Sequence, residues 1–116
     1  MFRFETSGRG HAAVLALFGN LDALSADALK AEVVRLSESK TNIATVVVDM
    51  SALELLDSTG VGVLISLFKR MRTKNGSALF AGLEAQPREI FRLLRLERSL
   101  DLVATVDEAL AKSMPK

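Results

Sequence analysis

Asp57, Ser58, Thr59, Gly60 and Gly62 lie together in LLDSTGVGVLISLFKRM, residues 55–71, where an apolar pattern of helical spacing begins. Residues of these types at the mouth of a helix allow four kinds of chemistry: a helix cap, a phosphate cradle, a nucleophile, or a substrate for another enzyme. A dinucleotide cradle needs three glycines in fixed order, and Gly60-Val61-Gly62 starts that way. Leu64 and Ile65 stand where the third glycine belongs, however, and no Gly-Lys-Ser/Thr loop occurs in the chain. A nucleophilic serine needs a base to take its proton. The sole histidine, His11, falls in an expected turn two strands away, and Leu56 replaces the first glycine of a Gly-x-Ser-x-Gly elbow. One histidine and no cysteine also argue against a transition-metal site or a thiol nucleophile, so neither catalytic residue, metal nor cofactor is expected.

Two roles for Ser58 remain, and they are compatible. A serine before a helical run caps it, its oxygen accepting one of the free N–H groups of the first turn. The same hydroxyl could carry a phosphate, held by those N–H groups at the positive end of the helix dipole. The added charge of about −1.5 to −2 would meet Asp57 and also Asp49, and would repel a partner pressing acidic or apolar groups on that face. Such a modification switches an interface and leaves the core intact. Gly60 and Gly62 keep the first helical turn slim, so that a neighbouring strand or a partner protein can come close. Asp22, Asp49 and Asp57 each fall at an expected strand end; whether they converge is left open by the sequence.

The elements around this stretch follow from periodicity. Phe2 and Phe4, alternating with charged residues, give a short strand at a sheet edge, ended by Gly8-Arg9-Gly10. The apolar run 12–18 predicts a strand covered on both faces and closed by Gly19-Asn20, and 43–48 (IATVVV) predicts a central parallel strand. Leu29, Val33 and Leu36 form one stripe of a helix with Ser25 as its cap and Asp27 in its first turn. Residues 49–56 read as a loop leading to a second helix on Val61, Leu64, Ile65, Phe68 and Met71. Lys69, Arg70, Arg72 and Lys74 suit the negative end of its dipole as a solvated terminus, and Phe68 and Met71 fit the core. Asn75-Gly76 stops that helix, and 78–81 forms another buried strand. Pro87 opens a third helix with Ile90, Phe91, Leu93 and Leu94; a last short strand at 102–103 and a helix over 107–112 precede a frayed tail at 113–116.

Strands alternating with helices on short loops predict one α/β domain over residues 1–116, with a mostly parallel mixed sheet of about five strands and about four helices. The 116 residues, 49% hydrophobic and 25% charged with a net charge of +1, suffice for a core without disulfides. A near-neutral balance and 5% aromatic residues, all phenylalanine, lack the basic stripes and stacking platforms of nucleic-acid binders. Absence of cysteine, of an apolar leader and of a membrane-length apolar window leads us to expect a cytoplasmic chain.

The stretch 46–71, VVVDMSALELLDSTGVGVLISLFKRM, resembles the signature of the STAS domain, the fold of bacterial anti-sigma-factor antagonists: Asp49, Ser51, Asp57, Ser58, Thr59, Gly60 and Gly62 all stand in register with it. GNLDALSADALK at 19–30 and the looser pattern IFRLLRLERSLDLVATVDEAL from residue 90 are also similar to the family. The resemblance implies a non-catalytic switch protein whose unphosphorylated form binds an anti-sigma factor that is also a serine kinase of the histidine-kinase-like ATPase type, freeing the sigma factor. Phosphorylation at Ser58, or less favourably at Thr59, would end the contact, and a metal-dependent serine phosphatase would reset it. By the same resemblance Asp22, Asp49, Asp57, Ser58, Thr59, Gly60 and Gly62 belong to the partner surface. Asp57 would orient the serine or partner, and Asp49 would fix the loop. A monomer that inserts in no membrane and touches no nucleic acid is expected. The family also includes accessory subunits of membrane lipid-transport complexes and members of other partner-switching assemblies, which form the alternative expectation.

Overall fold

The computed structural model describes residues 1–38 and 40–113. A five-stranded sheet in the order β1-β2-β3-β4-β5 is built from β1 (Phe2–Arg9), β2 (Ala12–Leu21), β3 (Thr45–Leu56), β4 (Ser77–Ala81) and β5 (Asp101–Val103). β1 runs antiparallel to β2, and the other neighbours are parallel. Between them come α1 (Ala26–Ser37), α2 (Ser58–Thr73), α3 (Ala85–Leu93) and a short 3-10 turn, and α4 (Val106–Ser113) follows β5. The mixed, mostly parallel α/β sheet with its helices agrees with the sequence expectation. Ser113 ends α4, and residues 114–116 of the expected tail lie outside the described residues.

Parallel strands need cover on both faces, which explains why Val46, Val47 and Val48 are fully buried. One face carries the main core, where Leu29, Val33 and Leu36 of α1, Leu64, Leu67 and Met71 of α2 and Phe91 of α3 meet Leu15, Leu17, Val46, Val48 and Phe80. The other face is a smaller cluster in which Ala109 of α4, with Val106 and Leu110 against it, covers Val14, Val47, Leu79 and Ala81.

Three strands run past their expected ends. β2 continues through Gly19 and Asn20 to Leu21, Gly19 taking a φ of +86° that favours glycine. β3 continues through 49–56, the stretch read as a loop, because Met50, Leu53 and Leu56 are buried at intervals of three. That spacing is produced by register shifts between Ala16 and Phe18 and between Gly19 and Asn20, which break the alternation a regular strand displays. β1 likewise continues through Gly8 and Arg9, so only Gly10, at φ +65°, makes the turn with His11. At the far end of α2 the expected stop is present: Asn75 adopts φ 63° and the Gly76 N–H closes on Met71 O at 2.7 Å.

The basic end of α2 is divided between structural and solvated roles. Lys74 Nζ donates to Glu38 O at 3.0 Å and to Thr41 Oγ1 at 2.9 Å, tying α2 to the end of α1, and Arg72 stacks over Phe68. Lys69 and Arg70 are exposed.

Candidate functional site

Where β2 and β3 end side by side, Leu21 opposite Leu56, each chain enters a helix, and the candidate residues collect at those two exits. Asp57, not Ser58, is the cap of α2. Its backbone is extended, at φ −105° and ψ 179°, and its Oδ1 accepts the Gly60 N–H at 2.9 Å. Ser58 is thereby the first residue of the helix proper, where its side chain has no capping geometry to adopt. The second carboxylate oxygen of Asp57 accepts the Ala23 N–H at 3.1 Å, and the Asp57 N–H donates to Leu21 O at 3.2 Å.

Asp22 organises the other exit. Its Oδ1 accepts the N–H groups of Leu24 at 3.0 Å and Ser25 at 3.2 Å and lies 3.2 Å from Ser25 Oγ. Ser25 stands at the cap position of α1 as expected, yet its hydroxyl makes no cap bond to the helix. It accepts the Asp22 N–H instead and sits within hydrogen-bond distance of Asn20 O. The loop is thus fixed from within, and Asp57 ties it to α2.

The two glycines of the motif part company. A Cβ on Gly60 would lie 2.8 Å from Leu21 Cγ, Leu21 O and Leu56 Cδ1, so glycine is what lets the two strand ends approach the helix. At Gly62 nothing lies within 4 Å, and the residue is exposed. Its missing side chain serves no contact inside this chain and leaves a bare patch of helix beside Ser58 and Thr59. Both residues are exposed, and their side-chain hydroxyls make no hydrogen bond with the described residues.

Asp49 is not part of this cluster. It lies within β3 opposite Ala16 and Ala81, and its Oδ1 accepts the Ser51 N–H at 3.0 Å and the Ser51 hydroxyl at 2.7 Å. Ala16 and Leu21, the β2 partners of Asp49 and Leu56, are five residues apart, about 17 Å of extended chain. Across that distance a charge at Ser58 and one at Asp49 are separated by about two screening lengths in physiological salt. His11 is also remote, its Nδ1 3.3 Å from Asn42 O at the opposite end of the sheet, and the described residues hold no group of three potential metal ligands.

Three residues escaped the sequence reading. Leu24, 96% exposed, and Leu55, half exposed, flank the two exits as apolar side chains. Leu24 falls ahead of the Leu29, Val33 and Leu36 stripe, which is the one signal that could have marked it. Gln86 accepts the Leu56 N–H through Oε1 at 2.8 Å and donates from Nε2 to Leu56 O at 2.9 Å. Nothing local in the sequence announces a pairing across 30 positions.

Comparison with known proteins places this geometry. The STAS domain family matches residues 3–109. The anti-sigma-B factor antagonist of Bacillus subtilis (strain 168) is 29% identical over 86 residues, 74% of this chain and 76% of that protein. An anti-sigma factor antagonist from Mycobacterium paratuberculosis superimposes with a TM-score of 0.85 at 22% identity over 97% of this chain and 94% of that one. The Bacillus cell fate determinant SpoIIAA, solved in its phosphorylated form, gives a TM-score of 0.76 at 20% identity over 97% of this chain and 100% of that one. These structures share the fold.

Proposed function

Since the chain belongs to the STAS domain family, we propose that it is an anti-sigma-factor antagonist, a cytoplasmic, monomeric binding module without catalysis of its own that is switched at Ser58. Unphosphorylated, it binds an anti-sigma factor that is also a serine kinase of the histidine-kinase-like ATPase type and so releases the sigma factor. Phosphoryl transfer from ATP to the Ser58 hydroxyl ends the contact, and a serine phosphatase restores it. The antagonist names of the relatives support this reading.

The single observation that carries it is the division of labour between Asp57 and Ser58. Asp57 makes the cap bond to Gly60, so the Ser58 hydroxyl is left exposed and unbonded among the described residues. A phosphate on Ser58 would meet the dipole of α2 on one side and the Asp57 carboxylate on the other. The fold beneath depends on neither state. The surface changes sharply: exposed Thr59, the bare Gly62 and the apolar Leu24 and Leu55 surround a group that gains about two negative charges.

The test uses Ser58→Ala and Ser58→Asp proteins as bait in lysate of the source organism, with mass spectrometry of what each holds. A small kinase-like ATPase retained by the alanine form and lost from the aspartate form is expected. Equal capture of that partner by both forms would overturn the switch, and capture of the same membrane-transport subunits by both would favour an accessory subunit of a lipid-transport complex.

A further inference from the structure

β3 outruns its neighbour β4. The ladder between them ends at the pair Asp49 and Ala81, and Gly82, at φ +74°, turns the chain out of the sheet. Beyond that pair β3 keeps β2 on one edge only. Leu56 turns its N–H and its carbonyl to the other edge, and the Gln86 amide satisfies both, at 2.8 and 2.9 Å. A primary amide presents one donor and one acceptor side by side, the same pair that a strand backbone offers. Gln86 therefore stands in for the missing strand at the last residue before Asp57.

The approach of Gln86 is itself built with strain. Ala85, immediately before it, adopts φ +51°, a region that a residue with a Cβ seldom occupies, at the first turn of α3. Strained backbone persists where the surrounding structure over-determines it. Here the surrounding structure is the paired amide on one side and the buried Pro87 and Phe91 on the other.

From these observations we infer that Gln86 is a positioning residue for the Ser58 segment: its amide fixes the Leu56 backbone, from which Asp57 caps α2 and Ser58 is presented. This inference rests on the reading of Ser58 as the switched residue. It makes the first turn of α3 part of the apparatus that presents Ser58, although α3 contributes none of the motif residues. Leu56 is then held on both edges, since the following Asp57 N–H bonds Leu21 O.

The experiment needs no partner. The chain contains no cysteine, so Ser58→Cys introduces a unique thiol at the start of α2. Its pKa, read from the pH profile of iodoacetamide alkylation, senses how well the helix-start N–H groups are aligned, because those groups stabilise a thiolate. Gln86→Met keeps the volume of the side chain and removes both hydrogen bonds. Adding it is expected to raise the thiol pKa by about one unit. In the parent background it is expected to lower the exchange protection of the Leu56 amide about tenfold, with protection of Val46, Val47 and Val48 unchanged. Ala85→Gly, which relieves the backbone without touching the amide, is expected to leave the thiol pKa where it was.

An unchanged thiol pKa, or loosening spread evenly over the whole sheet, overturns the positioning role. Should Gln86→Met fail to fold, Gln86→Glu, which keeps the acceptor and removes the donor, carries the same two measurements. Equal partner capture by the Ser58→Ala and Ser58→Asp proteins would remove the switch reading while leaving these exchange and pKa results as they stand, so the two failures are distinguishable.

Discussion

The carboxylate of Asp57 accepts the backbone N–H of Ala23 at 3.1 Å across 34 positions of sequence, while its other oxygen caps α2 at Gly60. One side chain thus holds both helix entrances of the site in a fixed relation. The loop that displays Leu24 is thereby tied to the turn that displays Ser58.

Removing that carboxylate therefore costs more than an ordinary cap. Asp57→Ala is expected to lower the free energy of unfolding by about 1–2 kcal/mol, the upper range for loss of a cap. Asp57→Asn keeps only one of the two acceptor oxygens and turns its NH2 toward the N–H of either Gly60 or Ala23, so it is expected to lose about 0.5–1.5 kcal/mol, less than the alanine variant. Urea unfolding curves at neutral pH make the comparison. A negligible effect of Asp57→Ala would mean that the two bonds contribute no net stability.

The glycines of the motif predict opposite outcomes. Gly60→Ala forces a methyl group to within 2.8 Å of the Leu21 carbonyl, a backbone atom that cannot swing aside, and is expected to cost about 1–3 kcal/mol. Gly62→Ala meets open space in a helix and is expected to gain about 0.5–1 kcal/mol. If Gly62 is bare because a partner lies on it, the same variant binds that partner more weakly despite its greater stability. Thermal unfolding separates the pair, and titration against the captured partner checks the last point.

How much of this was legible beforehand varies by element. The buried valines at 46–48 and the stripe of Leu29, Val33 and Leu36 carry periodicities that report burial directly, so the order of elements was readable. The far half of β3 was not, because bulges give Met50, Leu53 and Leu56 a spacing of three that mimics neither strand nor helix. Asp57, Ser58, Thr59, Gly60 and Gly62 stand together at the start of α2, but the cap falls on Asp57 and not on Ser58, because the backbone at Asp57 is extended. The sequence reading placed Asp49 at a strand end, whereas the strand runs on past it to Leu56. Gln86 could not be found at all, since its partner is a backbone.

Lys74 offers a test of the basic helix end. Its ammonium group satisfies Glu38 O and Thr41 Oγ1, so Lys74→Met, which keeps the apolar stem, is expected to cost about 1 kcal/mol. Lys69→Met, at an exposed position, is expected to change stability by less than about 0.5 kcal/mol. Equal costs would mean that the bonds of Lys74 contribute nothing.

Acid sensitivity should concentrate at Glu32. The Arg35 guanidinium bonded to it holds its carboxyl below the usual glutamate value, burial opposes this, and the Thr6 hydroxyl from β1 adds to the lowering. A carboxyl lowered on folding contributes stability that is fully present above its unfolded value, near 4.5, and is lost as the pH falls through the folded one. Glu32→Gln is therefore expected to be less stable than the parent at pH 7, with the difference shrinking as the pH is lowered below about 4.5. Denaturation curves above and below that pH decide; a constant difference between the proteins would contradict the assignment.

The overhang of β3 beyond β4 gives the molecule a seam. Residues 50–56 have β2 on one edge and the Gln86 amide at Leu56 on the other, fewer backbone bonds than hold Val46, Val47 and Val48, so a sub-global opening that spares that ladder is expected to start there, against the burial of Met50, Leu53 and Leu56. Any protein seated across Leu24, Leu55 and Ser58 would close that seam, so occupancy could be read as slower proteolytic nicking within 50–57, with the remainder of the chain cut no differently.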